Sequence, residues 1–146
     1  MYRLLKILAC VVILVLSTAL LVHRNAEADD TMGLDVVGYN HTDHSIGSFS
    51  VNSQGSSFLA RHEQGGFACC VSLPAKYKFD MTVTVTWTDE YDEHPQSRVV
   101  AVPPYTPEDG GMFAVHFLRD GQIKVFVTML GPRHPNYPLK GDEARM

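Results

Sequence analysis

The sequence predicts an all-β fold, a β-sandwich or small barrel of about seven to eight strands behind one N-terminal apolar helix. Three observations carry this expectation. Residues 81–88 read MTVTVTWT, a strict alternation of large apolar residues with threonine. Residues 112–128 read MFAVHFLRDGQIKVFVT, two apolar runs around an Asp-Gly turn. After residue 28 no stretch shows helical periodicity, and short apolar runs are separated by Gly, Pro, Asn, Asp and Ser.

The N-terminal segment comes first. Residues 7–22, ILACVVILVLSTALLV, carry no charge and follow Arg3 and Lys6. Ala26-Glu27-Ala28 then supplies a small-x-small cleavage pattern, so residues 1–28 read as a secretory signal peptide. Counted from Leu4, the apolar run is also long enough to stay as a membrane anchor, and both fates remain open. Either way, the leading positive charges send residues 29–146 across the inner membrane, as one β-rich domain facing the periplasm. Cys10 follows Ile7-Leu8-Ala9 like a lipoprotein acceptor, but the apolar run lies after it, which argues against lipidation.

Within the domain, Leu34–Asn40, Ile46–Val51, Cys69–Leu73 and Arg98–Val102 are candidate strands. In the strand 81–88, Met81, Val83, Val85 and Trp87 share one face and the threonines the other. That pattern fits a strand packed on one side and wet on the other, with Trp87 a structural residue. In the hairpin, a two-residue Asp120-Gly121 turn pairs Leu118 with Ile123 and His116 with Val125. Both of its faces are apolar, which predicts a central position. The prolines of GPRHPNYP, residues 131–138, exclude a central strand and predict an extended segment lying over the domain.

Charge narrows the function. The whole chain is −4. Without Arg3, Lys6, Arg24 and Glu27, nine basic residues face fifteen acidic ones, leaving −6. An acidic domain is a poor ligand for nucleic acid or anionic lipid, and compatible with a basic protein partner.

Few residues carry chemistry. Cys69 and Cys70 are adjacent, which excludes C-x-x-C redox chemistry and zinc-ribbon spacing. Buried thiols, one on each strand face, are the favoured reading; a vicinal disulfide and intermolecular pairing are the alternatives. His41 and His44 read as turn residues, and His62, His94 and His134 as loop residues, so no metal site is expected. His116 reads as a hydrogen-bonded core histidine. Asp89-Glu90-Tyr91-Asp92-Glu93 follows the best strand and precedes His94-Pro95. It is either a solvated loop or an acidic recognition patch with Tyr91 as its aromatic anchor; calcium ligand spacing is missing. No G-x-S-x-G, Walker loop or H-E-x-x-H occurs, so no enzyme and no cofactor is expected.

The segments VVGYNHTDHSIGSFSVN, GGFACCVSLP, VTVTW, FAVHFLRDGQIKVFV and GPRHPNYP resemble an uncharacterised family of small proteobacterial envelope proteins. Its hallmarks are GYNHT, paired cysteines before S-L-P, and G-P-x-H-P-x-Y-P, and the resemblance spans residues 36–138. Members often carry lipoprotein signals, from which this chain departs at Cys10. They are often encoded beside type VI secretion genes and lipase effectors. The resemblance therefore implies an immunity or accessory protein that binds a phospholipase effector, with no catalytic residue. The alternatives are a structural or assembly component of the envelope, and a small-ligand or metal-binding module built on the histidines and the cysteine pair.

Overall fold

A computed structural model describes residues 30–55 and 57–146. The expectations for the signal or anchor segment, residues 1–28, lie outside them. Among the described residues no helix is long and apolar enough to cross a membrane.

Residues 32–146 form one compact unit, and its regular structure is β. The strands are β1 (Thr31–Asn40), β2 (Phe49–Val51), β3 (Gln54–Gly55), β4 (Gln64–Pro74), β5 (Thr82–Trp87), β6 (Gln96–Ala101), β7 (Met112–Phe117) and β8 (Ile123–Thr128). Two short 3-10 turns, Pro107–Asp109 and Gly141–Ala144, are the described helical elements. One sheet has the order β4-β1-β7-β8 and the other β3-β2-β5-β6. β1 and β7 run parallel, from Asp35 opposite Met112 to Asn40 opposite Phe117. β5 pairs antiparallel with both β2 and β6.

The alternation in β5 sets the core. Val83 and Val85 are buried while Thr82 and Thr84 are exposed. They face Val36, Phe113, Val115, Val125 and Val127 of the opposite sheet in one cluster. Trp87 is half-buried at the end of this cluster, edge-on to Phe117. Burying these branched and aromatic side chains removes their area from water, at about 25 cal/mol per Å2, the main force holding the sheets together.

A third layer covers the outer face of the first sheet. Tyr137 and Leu139 are buried there with Leu118, and Phe126 packs beside them. The segment from Gly131 to Tyr137 lies against the domain as expected but is not extended. His134 N donates to Gly131 O and Tyr137 N to His134 O, two successive turns. The prolines explain this, because they fix φ and supply no ladder donor.

Three further expectations need correction. The hairpin register is shifted by one residue: Phe117 pairs with Ile123, His116 with Lys124 and Val115 with Val125. The loop has three residues, Arg119 to Gly121, closed by Leu118 N to Gln122 O and by Gly121 N to Leu118 O. Gly121, at φ +79°, takes the left-handed position that ends such a loop. β7 is internal, but β8 is the edge of its sheet. The segment Ile46–Val51 forms a strand only from Phe49, with Ile46 in an isolated bridge to Leu59.

The third correction is the cysteine pair. Cys69 and Cys70 are joined by a disulfide across a cis peptide bond. Cys69 is exposed and Cys70 half-buried, so buried thiols are replaced by the vicinal bridge. Gly66 and Val71 are both buried, so the inward positions of β4 change phase across the pair. An unbroken alternation would have put one cysteine in the core.

Candidate functional site

The five-residue acidic cluster lies in the loop between β5 and β6, and its members divide into two kinds. Asp89, half-buried, and Asp92, exposed, are both hydrogen-bonded by neighbouring groups. Asp89 Oδ1 accepts from the backbone N–H groups of Tyr91 (3.1 Å) and Glu93 (2.9 Å), and its Oδ2 lies 2.6 Å from His94 Nδ1. Asp92 Oδ1 accepts from the hydroxyls of Ser48 (2.6 Å) and Thr88 (2.8 Å). These bonds favour the charged form, and both carboxyls are held below the usual aspartate range, by His94 foremost at Asp89 and by Ser48 at Asp92.

Glu90, Tyr91 and Glu93 point outward, with Tyr91 77% exposed. The Glu90 carboxylate beside it raises the Tyr91 hydroxyl above its ordinary pKa. The loop sits tightly on β2's approach: Gly47 N donates to Asp89 O, and a Cβ at Gly47 would lie 2.5 Å from that oxygen and 2.7 Å from Asp92 N. The loop is thus exposed from Glu90 onward, and is hydrogen-bonded both within itself and to Ser48.

Beside it opens a cleft of about 420 Å3, between this loop and the β7–β8 turn. Trp87, Phe117 and Ile123 supply apolar wall, and Glu90, Tyr91 and Arg98 polar rim. Arg98 lies over the Trp87 ring, 5.9 Å from its centroid, and donates to Gly121 O at 2.6 Å. One guanidinium therefore ties β6, the Trp87 ring and the opposite turn together. Arg98 was not singled out by the sequence. Trp, Tyr and Arg grouped around a recess are the residue types that dominate binding energy at protein interfaces.

A second group is buried. His116 is 1% exposed, as is His41, which the sequence placed in a turn. The His116 ring stacks on Tyr39 at 4.5 Å, 7° from parallel. Its Nδ1 lies 2.9 Å from His41 Nε2, and its Nε2 2.6 Å from the Tyr137 hydroxyl. His41 Nδ1 lies 2.7 Å from the carbonyl oxygen of Arg145. A carbonyl only accepts, so His41 Nδ1 carries a proton and its neutral Nε2 accepts from His116. His116 Nε2 then accepts from Tyr137. Each group donates once in one direction, and both rings are neutral. Burial, then His41 and Lys124, depress the His116 pKa to about 3; burial foremost lowers His41 and raises Tyr137.

This chain fastens the C-terminal segment to β1 and β7. It also joins GYNHT, residues 38–42, to GPRHPNYP, residues 131–138. His41 and Tyr137 come from those segments, far apart in sequence. The chemistry is that of a latch: the ring nitrogens bond to one another, to Tyr137 and to the Arg145 carbonyl.

The family model described as Protein of unknown function (DUF3304) matches residues 39–125. That stretch includes Tyr39, His41, both cysteines, the acidic loop and His116. No curated protein and no solved structure matches the chain.

Proposed function

The chain belongs to this family of unknown function, and we propose that its domain is a non-enzymatic protein-binding module of the periplasm. In this reading it is an immunity or accessory protein whose partner is a phospholipase effector of a type VI secretion system. The first 28 residues carry it across the inner membrane and either tether it there or are removed. The carrying observation is the preorganised loop beside the cleft. Asp89 and Asp92 are hydrogen-bonded by the loop's backbone and by the Ser48 and Thr88 hydroxyls, which leaves Glu90, Tyr91 and Glu93 presented at little ordering cost. Preorganisation of this kind raises affinity by lowering what binding must order. A basic or aromatic side chain of the partner fits between Glu90 and the Trp87–Arg98 pair. The −6 charge of residues 29–146 favours a basic partner surface.

The test takes as its probe any lipase found encoded beside this chain's gene, with association and dissociation rates measured at two ionic strengths. Glu90→Gln with Glu93→Gln should slow association and flatten its salt dependence. Tyr91→Ala should act on dissociation and weaken binding by about 2 kcal/mol. Binding unchanged in both variants would reduce the loop to a structural turn. No binding of the parent to any neighbouring lipase would end the immunity reading in favour of an envelope component.

A further inference from the structure

The first sheet carries a separate cluster where β4 lies beside β1. Cys69 is exposed, Cys70 is half-buried, and β1 supplies the exposed carboxylate of Asp35. Cys70 Sγ lies 3.8 Å from Asp35 Oδ1, and the two sulfurs and a carboxylate oxygen all lie within 4.8 Å of one another. We propose that Asp35, Cys69 and Cys70 form a redox-gated site for a divalent transition-metal ion, with zinc the best fit.

The gate is the disulfide. In the bridged form the sulfurs are neutral and bonded to each other, and the cluster offers one carboxylate. A dithiol reductant opens it. Two electrons and two protons pass to the bridge, the S–S bond breaks, two thiols form, and the reductant leaves as its own disulfide. Release of both thiol protons to solvent would set two thiolates beside a carboxylate, three negative charges in one place. Like charges oppose that state unless a cation sits among them. Metal binding therefore drives the deprotonation it requires.

The donor set chooses the ion. Two thiolates and one carboxylate suit zinc, whereas magnesium and calcium take oxygen ligands. Tetrahedral zinc, at about 2.3 Å from sulfur and about 2.0 Å from oxygen, sets two sulfurs about 3.8 Å apart and a sulfur and an oxygen about 3.5 Å apart. The Cys70–Asp35 pair already meets that spacing within a few tenths of an ångström. The two sulfurs reach theirs only when the bridge opens. Because Cys69 and Asp35 are exposed, the fourth position faces solvent, open to water or to a ligand from a partner.

The experiment uses the full chain in detergent, with Cys10→Ala so that one cysteine pair remains. Before reduction its intact mass should be lighter by two hydrogens, and added cobalt should give no thiolate-to-metal absorption in the near ultraviolet. After reduction by a phosphine and its removal under argon, one cobalt per chain should bind with that absorption, and zinc should displace it. Asp35→Asn should leave both thiols titratable yet weaken zinc at least about tenfold, measured against a chromogenic chelator. Three results overturn the proposal: a reduced chain without the charge-transfer band, an Asp35→Asn chain that binds zinc as tightly as the parent, or two free thiols before any reduction.

Discussion

Acid should loosen this domain through His116 well before it titrates the carboxylates. The His116 pKa lies at about 3 in the folded chain against roughly 6.5 in the unfolded one. The folded state thus favours the neutral ring. The stability this contributes is fully present above the unfolded pKa and is lost as pH falls from there toward the folded one. A tenfold change in proton affinity is worth about 1.4 kcal/mol, so the loss should reach about 2 kcal/mol by pH 5 and about 4 kcal/mol by pH 3. His41, also lowered, adds in the same direction. Asp89 and Asp92 are shifted below their ordinary 3.8, so their stabilisation is lost as pH falls from about that value, below the histidine window. Between pH 6.5 and 4.5 the slope therefore reports the two histidines.

The assay is urea denaturation of residues 29–146 followed by Trp87 fluorescence, at half-unit steps across that window. His116→Phe removes the titrating group while keeping an aromatic ring against Tyr39. It should flatten the slope. It should also lower stability at pH 7.5 by about 1–3 kcal/mol for each buried partner left without a bond, here the Tyr137 hydroxyl and His41 Nε2. Tyr137→Phe should cost a similar amount at neutral pH without abolishing the slope. A parent slope no steeper than that of His116→Phe would refute the reasoning, as would an ordinary titration midpoint for the His116 ring resonances in the folded domain.

Three further outcomes follow from other parts of the molecule. Gly47→Ala places its Cβ against the backbone at Asp89 and Asp92, and should destabilise by more than about 1 kcal/mol, measured by the urea midpoint; wild-type melting would show the loop to be adaptable. Trp87→Ala, at a half-buried site, should cost less than the roughly 3–5 kcal/mol of a fully buried aromatic, measured by the urea midpoint. A reporter that works only outside the cytoplasm, fused after Met146, should be active, and a stable but silent fusion would refute the topology.

What the sequence revealed depended on how local the cause was. β5 was readable because its two faces meet different solvents, so Val83 and Val85 alternate with Thr82 and Thr84. β3 was not, because Gln54–Gly55 is two exposed residues with no pattern to read. The acidic loop was recognisable as a loop from its composition. Yet nothing in Asp89-Glu90-Tyr91-Asp92-Glu93 says which carboxylates are tied down by hydrogen bonds, since Asp92 is held partly by Ser48, 44 residues away. His41 was hidden for the same reason: its partners Arg145 and His116 lie 104 and 75 residues along the chain.

The hairpin shows how two readings, each incomplete, constrain each other. Val115, Phe117, Ile123 and Val125 turn one face of β7–β8 to the core, while Ala114, His116 and Phe126 lie on the other. Alternation fixes register only when one face is polar, because a slip by one residue then moves apolar groups into water. Here both faces are apolar, so a two-residue and a three-residue turn were equally compatible with the sequence. An edge strand such as β8 keeps an apolar outer face only if something covers it. The chain supplies that cover soon after β8 ends, in a proline-rich segment that cannot join the sheet but buries Tyr137 and Leu139 against it. The apolar outer face and the proline-rich tail are thus two halves of one feature. The His116–Tyr137 bond is where they are joined.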